Sequence, residues 1–336
     1  MRYALFMHQV TSHSERLLKI YCLMLKMRYF EEIISEVYKE GLIRTPVHLG
    51  IGQEAIAAGI LVNKTLVDSV FSHHRCHNHF IGSGGSLNKL SAELFGKRDG
   101  CSGGRGGSVH LVAREVGFLG TSAILGESVA LAVGAAFGKK KLRKSGLTFV
   151  FFGDAALEEG IFWESLNFAA LHSLPVVFVC ENNLYSTESS LLKRLPNGSK
   201  FSDRVKSFGV DTLKVDGNDS VEILDLSKKI LSNIRLNPRP IFIECETYRW
   251  KEHVGPFFDY EQQRSYRSKD ELQHWIGRCP IIKLEKYLVE KDLVMAEEIV
   301  LMKAQVESEC TQAIEFAKKS QFPELNSSHV NLYYEN

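Results

Sequence analysis

Hydrophobic and polar positions along this chain switch between a helical period and short unbroken apolar runs. Between residues 15 and 41, Leu17, Leu18, Tyr21, Met24, Leu25 and Arg28 follow a helical period, and Gly41 sits where a C-cap belongs. Residues 52–62 read as a second helix. A polar, His-rich stretch follows from Ser72 to His79, then a glycine-rich loop from Gly100 to Gly107. Loops of that composition leave backbone amides free to approach a ligand. Residues 126–138 form a small-residue helix in which Gly126, Ala130, Gly134 and Gly138 recur every four positions. Such a smooth stripe lets another backbone come close, inside the domain or at a subunit interface.

The centre carries the clearest signal. Leu147 to Phe152 is a β-type apolar run ending at Gly153-Asp154. Residues 156–172 read as a helix with Ile161, Phe162, Leu166, Phe168 and Ala169 on the buried side. Pro175 opens a second run, VVFVC, which ends at Glu181-Asn182-Asn183. Strand, helix, strand in that order predicts a crossover with parallel strands. A third run, Thr212 to Val215, a helix over about 219–234 and a fourth run, Pro240 to Glu246, continue the alternation. The pattern predicts an α/β fold: a doubly wound, mostly parallel sheet flanked by helices. The tail over about 267–320 reads as charged helix on a solvated surface.

Composition narrows the function classes. The 336 residues include 41 Lys plus Arg against 40 Asp plus Glu, a formal charge of +1, which argues against a dedicated nucleic-acid binder. An apolar content of 44% excludes global disorder. The seven cysteines are odd in number and contain no Cys-x-x-Cys, which points to reduced thiols and a cytoplasmic protein. The N-terminus mixes His8, Gln9, His13 and Glu15 and lacks a signal peptide's apolar centre. Val116 to Gly138 holds Glu127 and five glycines, too polar for a membrane span.

Asp154 and Asn183 lie 29 positions apart, each at the C-terminal end of a buried run. Neighbouring parallel strands would place both on the rim where open α/β sheets bind ligands. A carboxylate, an amide oxygen and a nearby backbone carbonyl suit Mg²⁺ or Ca²⁺, and leave room for phosphate oxygens. The Ala155 and Ala156 amides, opening the next helix, can donate to phosphate. Taken alone, Asp154 could equally be a helix cap and Asn183 a turn residue. Other candidates weigh less. His73, His74, His77 and His79 match no zinc spacing. Glu158 and Glu159 read as a helix-start charge pair. Gly103 to Gly107 follows no strand and lacks the Lys-Ser/Thr ending of a P-loop.

The stretch from Phe151 to Ser186, FFGDAALEEGIFWESLNFAALHSLPVVFVCENNLYS, resembles the thiamine diphosphate motif, a Gly-Asp-Gly followed by Asn-Asn. Five further blocks agree in order with the alpha subunit of thiamine diphosphate-dependent 2-oxo acid dehydrogenases of the pyruvate and acetoin type. They are HLGIGQEAIAAG (48–59), HRCHNHF (74–80), GCSGGRGGSVHL (100–111), GFLGTSAILG (117–126) and ECETYRWKEH (244–253). The resemblance spans roughly residues 17–334. It implies an N-terminal helical segment over 1–45, a diphosphate- and Mg²⁺-binding α/β domain over 46–265 and a C-terminal helical extension over 266–336.

The resemblance also implies roles. Asp154, Asn183 and the Tyr185 carbonyl match Mg²⁺ ligands. Arg75 matches an arginine that grips the diphosphate. Gly153, Ala155 and Ala156 match the phosphate-contacting turn. Gly117 and Leu119 match positions whose backbone meets the aminopyrimidine. His253 matches a histidine on a mobile loop over the active site, a candidate acid–base group, and His74 stands where the family often has Tyr. Three departures stand out: Ala155 replaces the last Gly of Gly-Asp-Gly, Lys251-Glu252 replace His-Gly, and Val254-Gly255-Pro256 replace a Ser-rich continuation.

The cofactors so implied are thiamine diphosphate and Mg²⁺. The implied partner is a beta subunit carrying the pyrimidine domain and its catalytic carboxylate, in a heterotetramer, with a lipoyl acyltransferase as acceptor. The implied substrate is pyruvate or a similar short 2-oxo acid. A carboligase subunit passing the acyl anion to an aldehyde or sugar, and a non-catalytic scaffold that binds only its partner, are the alternatives.

Overall fold

The computed structural model describes residues 12–325, so the outer ends of the expected terminal segments lie outside it. Helix α1 (His13–Lys39) starts on a capping box between Ser12 and Glu15. Next come α2 (Glu54–Leu61), strand β1 (Ser69–Ser72), α3 (His77–Gly82), α4 (Leu87–Leu94), β2 (Phe118–Thr121) and α5 (Leu125–Lys141). The central unit is β3 (Thr148–Gly153), α6 (Gly160–Leu171) and β4 (Val176–Asn182). A two-strand hairpin, β5 (Tyr185–Ser186) and β6 (Ser189–Ser190), leads to the short helices α7 (Leu191–Arg194) and α8 (Phe201–Lys206). β7 (Asp211–Asp216), α9 (Ser220–Leu236) and β8 (Ile241–Glu246) complete the sheet, and α10 (Lys269–Ile276), α11 (Pro280–Glu290) and α12 (Ala296–Lys319) close the chain.

The sheet has six strands in the order β2-β1-β3-β4-β8-β7, and every pairing is parallel. The doubly wound expectation is met. The order turns outward in both directions from β1 and β3, so the topological switch point lies between their C-terminal ends.

Side chains alternate across the sheet, as strand geometry requires. Phe149, Phe151, Val177 and Val179 join a core with α1, α2 and α12, while Val150, Phe152, Val176 and Phe178 join a second core with α5 and α6. Both faces are covered, which explains why β3 and β4 read as unbroken apolar runs. No helix among the described residues is long and apolar enough to cross a membrane.

The structure corrects several local expectations. β1 and β2 pass unnoticed in the sequence because each has only four residues and neither is a long apolar run. The helix expected over 156–172 is split: Asp154–Glu158 is a 3₁₀ turn, and extended Glu159 (φ −86, ψ 134) separates it from α6. Ala155 and Ala156 therefore belong to that turn. Phe162, Leu166 and Ala169 are buried as expected, but Ile161 and Phe168 are exposed at 39% and 38%. The tail is amphipathic. One face of α12, with Ile299, Met302, Val306, Cys310 and Ile314, is buried in the core shared with α1.

The glycine loop is not free for a ligand. Its amides converge on the buried carboxylate of Glu93: Ser102 N–H donates at 2.7 Å, Gly104 at 2.9 Å and Gly106 at 2.6 Å. A bulkier residue at Gly104 would strike the Lys97 carbonyl, 2.7 Å from an added Cβ. Glu93→Ala strands three N–H donors and should destabilise the fold by about 3 kcal/mol, read as a lowered urea midpoint at unchanged m-value.

Candidate active site at the sheet switch point

The chain leaves β1 as Ser72-His73-His74-Arg75, leaves β3 at Asp154 and leaves β4 at Asn183. In the β3–β4 register Gly153 faces Glu181, which sets Asp154 and Asn183 on one rim. The loop after β8 brings His253 over the same rim. Arg75 lies beneath it, 4% exposed, donating to the carbonyls of Leu49 (2.8 Å) and His253 (3.3 Å). Among the described residues no acidic side chain forms an ion pair with this guanidinium. Its burial, then the nearby Arg249, lower its hold on its proton against the weaker pull of Glu31 and Glu181. A buried cation held only by neutral carbonyls is a site short of an anion.

Three imidazoles surround that charge. His48 meets His74 at 4.3 Å between ring centroids, and His253 lies 5.3 Å from each. All three are held neutral. Burial and then Arg75 push His48 down to about 2 and His253 down to about 3. Burial, followed by His73 and Arg75, pushes His74 well below its usual range. His48 Nδ1 is buried and without a hydrogen-bond partner. A dication among these rings would sit against the Arg75 charge, so the trio reads as neutral proton donors and acceptors.

A second pair of histidines lies deeper. His73 Nδ1 accepts from the Arg75 amide (3.2 Å), so its Nε2–H donates to Glu181 (2.9 Å). His79 Nε2 donates to the other Glu181 oxygen (3.1 Å), and its Nδ1 meets Ser72 Oγ at 2.8 Å. Burial would raise the Glu181 carboxyl, but His79 and His73 overrule it and hold it low. The tautomer fixed at His73 occupies the nitrogen a zinc ion would need. His77 bonds Glu31 and Ser108 instead.

Asp154 is 1% exposed, and its carboxylate pairs with Arg194, which also pairs with Glu158. Burial raises the Asp154 pKa, and Arg194 opposes that rise. Asn183 is oriented from both sides. Its Nδ2 donates to Gln53 Oε1 (3.3 Å), leaving Oδ1 to accept from the Tyr185 amide (3.3 Å). Leu184 between them is left-handed (φ 71), a conformation a leucine adopts only under local constraint. The donor set is a carboxylate, an amide oxygen and peptide carbonyls. Such hard oxygens fit Mg²⁺.

The loop bearing His253 is closely tied. Glu252 N–H donates to the Phe257 carbonyl (2.9 Å), and its carboxylate accepts from Phe257 N–H (3.2 Å) and pairs with Arg264 (3.2 Å). The Gly255 amide donates to Val47 (3.0 Å). The mobile loop that the resemblance implies is thus closed by Glu252, one of the residues that depart from the family pattern. Leu119 lies on edge strand β2, and Gly117 is the residue just before it. Gly117 (φ 73) gives its carbonyl to Val70 N–H at 2.8 Å, and Leu119 is 37% exposed.

Glu159 stands at the N-cap of α6, as a helix-start acid should, but its carboxylate accepts from Gly126 N–H (3.0 Å) in the first turn of α5 and makes no side-chain cap bond to α6. The sequence pattern singles out neither His48 nor Arg194 as a site residue. His48 heads one of the matching blocks, and that position is its only signal.

The Dehydrogenase E1 component family profile matches residues 22–326. The mitochondrial pyruvate dehydrogenase E1 component subunit alpha of Pisum sativum is 35% identical over 325 residues, covering 96% of this chain and 80% of the relative. The pyruvate dehydrogenase E1 component subunit alpha of Porphyra purpurea is 33% identical, covering 97% and 94%. That of Rickettsia conorii is 33% identical, covering 95% and 96%.

The neutral histidines make the fold acid-sensitive. In the unfolded chain they protonate near pH ~6.5, while in the folded chain His253 and His48 resist to about 3 and about 2. The unfolded state therefore binds more protons between those limits. Stability should be complete above the unfolded value and fall as pH drops. Urea midpoints should decline from about pH 7.5 to about pH 5, and the slope should flatten in the His48→Gln/His74→Gln/His253→Gln variant.

Proposed function

The chain belongs to the dehydrogenase E1 component family, as an alpha subunit of the thiamine diphosphate-dependent 2-oxo acid dehydrogenases, and from that premise we propose that it decarboxylates pyruvate or a similar short 2-oxo acid. The observation that carries this reading is Arg75, a buried guanidinium that forms no ion pair with an acid among the described residues, near the rim where Asp154 and Asn183 sit. Arg75 would hold the diphosphate, with the amides of the turn through Gly153, Ala155 and Ala156. Asp154, Asn183 and the Tyr185 carbonyl would hold Mg²⁺. When bound, thiamine diphosphate supplies a carbanion for the 2-oxo carbonyl and a sink for the electron pair released with CO₂.

The chain's own groups do the rest. His253 and His74, joined by His48, present neutral ring nitrogens that can accept or return a proton near the reacting carbonyl. Burial first, and then the Arg75 charge, keeps those rings neutral. The Gly117 and Leu119 backbone, on the outer edge of the sheet, would meet the pyrimidine end of the cofactor. A beta subunit would complete the site there in a heterotetramer. Its docking is supported by the bare backbone at Gly134 and Gly138, where an added Cβ meets nothing within 4 Å, and by Leu131 exposed at 51%. A lipoyl domain is the expected acyl acceptor. An aldehyde or sugar acceptor is the second reading, favoured by Lys251-Glu252 in the loop over the site. Seven free cysteines support a reducing, cytoplasmic setting.

The assembly with its beta partner should bind thiamine diphosphate in calorimetric titrations that require Mg²⁺. Arg75→Met should weaken cofactor binding roughly a hundredfold, the loss of a charge-assisted fork. Asp154→Asn should abolish the Mg²⁺ requirement together with most of the affinity. Pyruvate decarboxylation coupled to lipoyl-domain acylation identifies a dehydrogenase; product formed only with aldehydes identifies a carboligase. Cofactor binding unaffected by either substitution would overturn the site.

A further inference from the structure

Asp154 poses an electrostatic problem whenever no metal is bound. Its carboxylate is almost wholly buried, and an isolated ion there is costly. Arg194, at the end of α7, supplies the missing cation from within the chain. Its guanidinium forks between Asp154 and Glu158, and its Nε donates to the Ser189 carbonyl at 3.2 Å.

We propose that Arg194 is an internal counter-cation that competes with the divalent metal for Asp154 and so sets the metal affinity of the site. The inference rests on the reading of Asp154 as a metal ligand. Three features carry it further. First, the fork spans a buried and an exposed acid: the side chains of Asp154 and Glu158 are 2% and 40% exposed. Arg194 can leave Asp154 and keep a partner in Glu158, so release does not strand its charge. Second, the segment that carries Arg194 is short: α7 has four residues, Leu192 is 92% exposed, and the preceding hairpin has two-residue strands, so its hold is Leu191 on the core and the Arg194 fork itself, with that side chain 10% exposed. Third, a dication on Asp154 would repel the guanidinium at contact distance, so the two cations favour alternative arrangements of the same carboxylate.

The competition has a direction. Removing Arg194 should tighten metal binding, whereas a loss of affinity is expected if Arg194 merely supports Asp154 as a metal ligand. Removing Glu158 should weaken metal binding, because Arg194 then has only Asp154.

The test uses the assembly with its beta partner, thiamine diphosphate at saturation and Mn²⁺ as the probe, with free Mn²⁺ followed by electron paramagnetic resonance. Arg194→Gln should bind Mn²⁺ roughly tenfold tighter than the native chain. Arg194→Lys, which keeps the charge, should stay near native. Glu158→Gln, an exposed change that leaves the fold undisturbed, should bind several-fold more weakly and serves if Arg194→Gln does not fold. Unchanged or weaker binding in Arg194→Gln, or unchanged binding in Glu158→Gln, overturns the competition. Asp154→Asn separates the two layers. If it binds Mn²⁺ as the native chain does, the metal-site reading itself falls, and the competition falls with it. If Asp154→Asn loses Mn²⁺ while Arg194→Gln stays native, only the competition falls.

Discussion

One buried positive charge organises this site. Arg75 enters the interior on the turn that leaves β1, and among the described residues its guanidinium donates only to peptide carbonyls. A carboxylate partner would have cancelled it and left nothing for an anion. Carbonyls hold its geometry and leave its charge in place. The same charge adds to burial in fixing the protonation of its neighbours. His48, His74 and His253 share one small volume with it, and none can carry a second positive charge there. One residue thus supplies the attraction for a ligand and reinforces the neutral state that burial imposes on the rings around it.

The acids of the interior are placed where they do not undo this. Glu181 is occupied by His73 and His79, Glu31 by the Gly50 amide and His77, and Glu54 by Arg28 at 2.7 Å and the Gly52 amide at 3.0 Å. Each of these carboxylates has its own donors, and none forms an ion pair with Arg75 among the described residues, although Glu31 and Glu181 attract it from a distance. Two of these acids also fix how the first helical block meets the sheet. Gly52 (φ 98) is pressed against Trp250, which an added Cβ would strike at 2.4 Å, and Arg28 lies over the same indole at 4.1 Å.

Much of this was readable in the residues alone. β3, β4 and β8 announce themselves as apolar runs because a parallel sheet covered on both faces needs them. Asp154 and Asn183 sit at the ends of those runs and are found with them. β1 and β2 escape, since a four-residue strand carries too little pattern to separate from loop. The fate of the glycine loop was also hidden. Glycine content reports freedom of the backbone, and only the fold shows that Glu93 takes up the freed amides. The meeting of His48 with His253 depends on long-range packing that no local period encodes. Arg194 reaches Asp154 only through the hairpin of β5 and β6, whose turn at left-handed Thr187 (φ 51) has no glycine to mark it.

Helices α5 and α6 cover the sheet on one side and turn Ile124, Leu131 and Leu171 to water at 67%, 51% and 74%. Newly made copies that wait too long for cover on that side are candidates for clumping. Whatever comes to cover those side chains, or a chaperone that shields them meanwhile, would then govern the yield of native material. Overproduction of this chain by itself would fill inclusion bodies before it filled the soluble fraction.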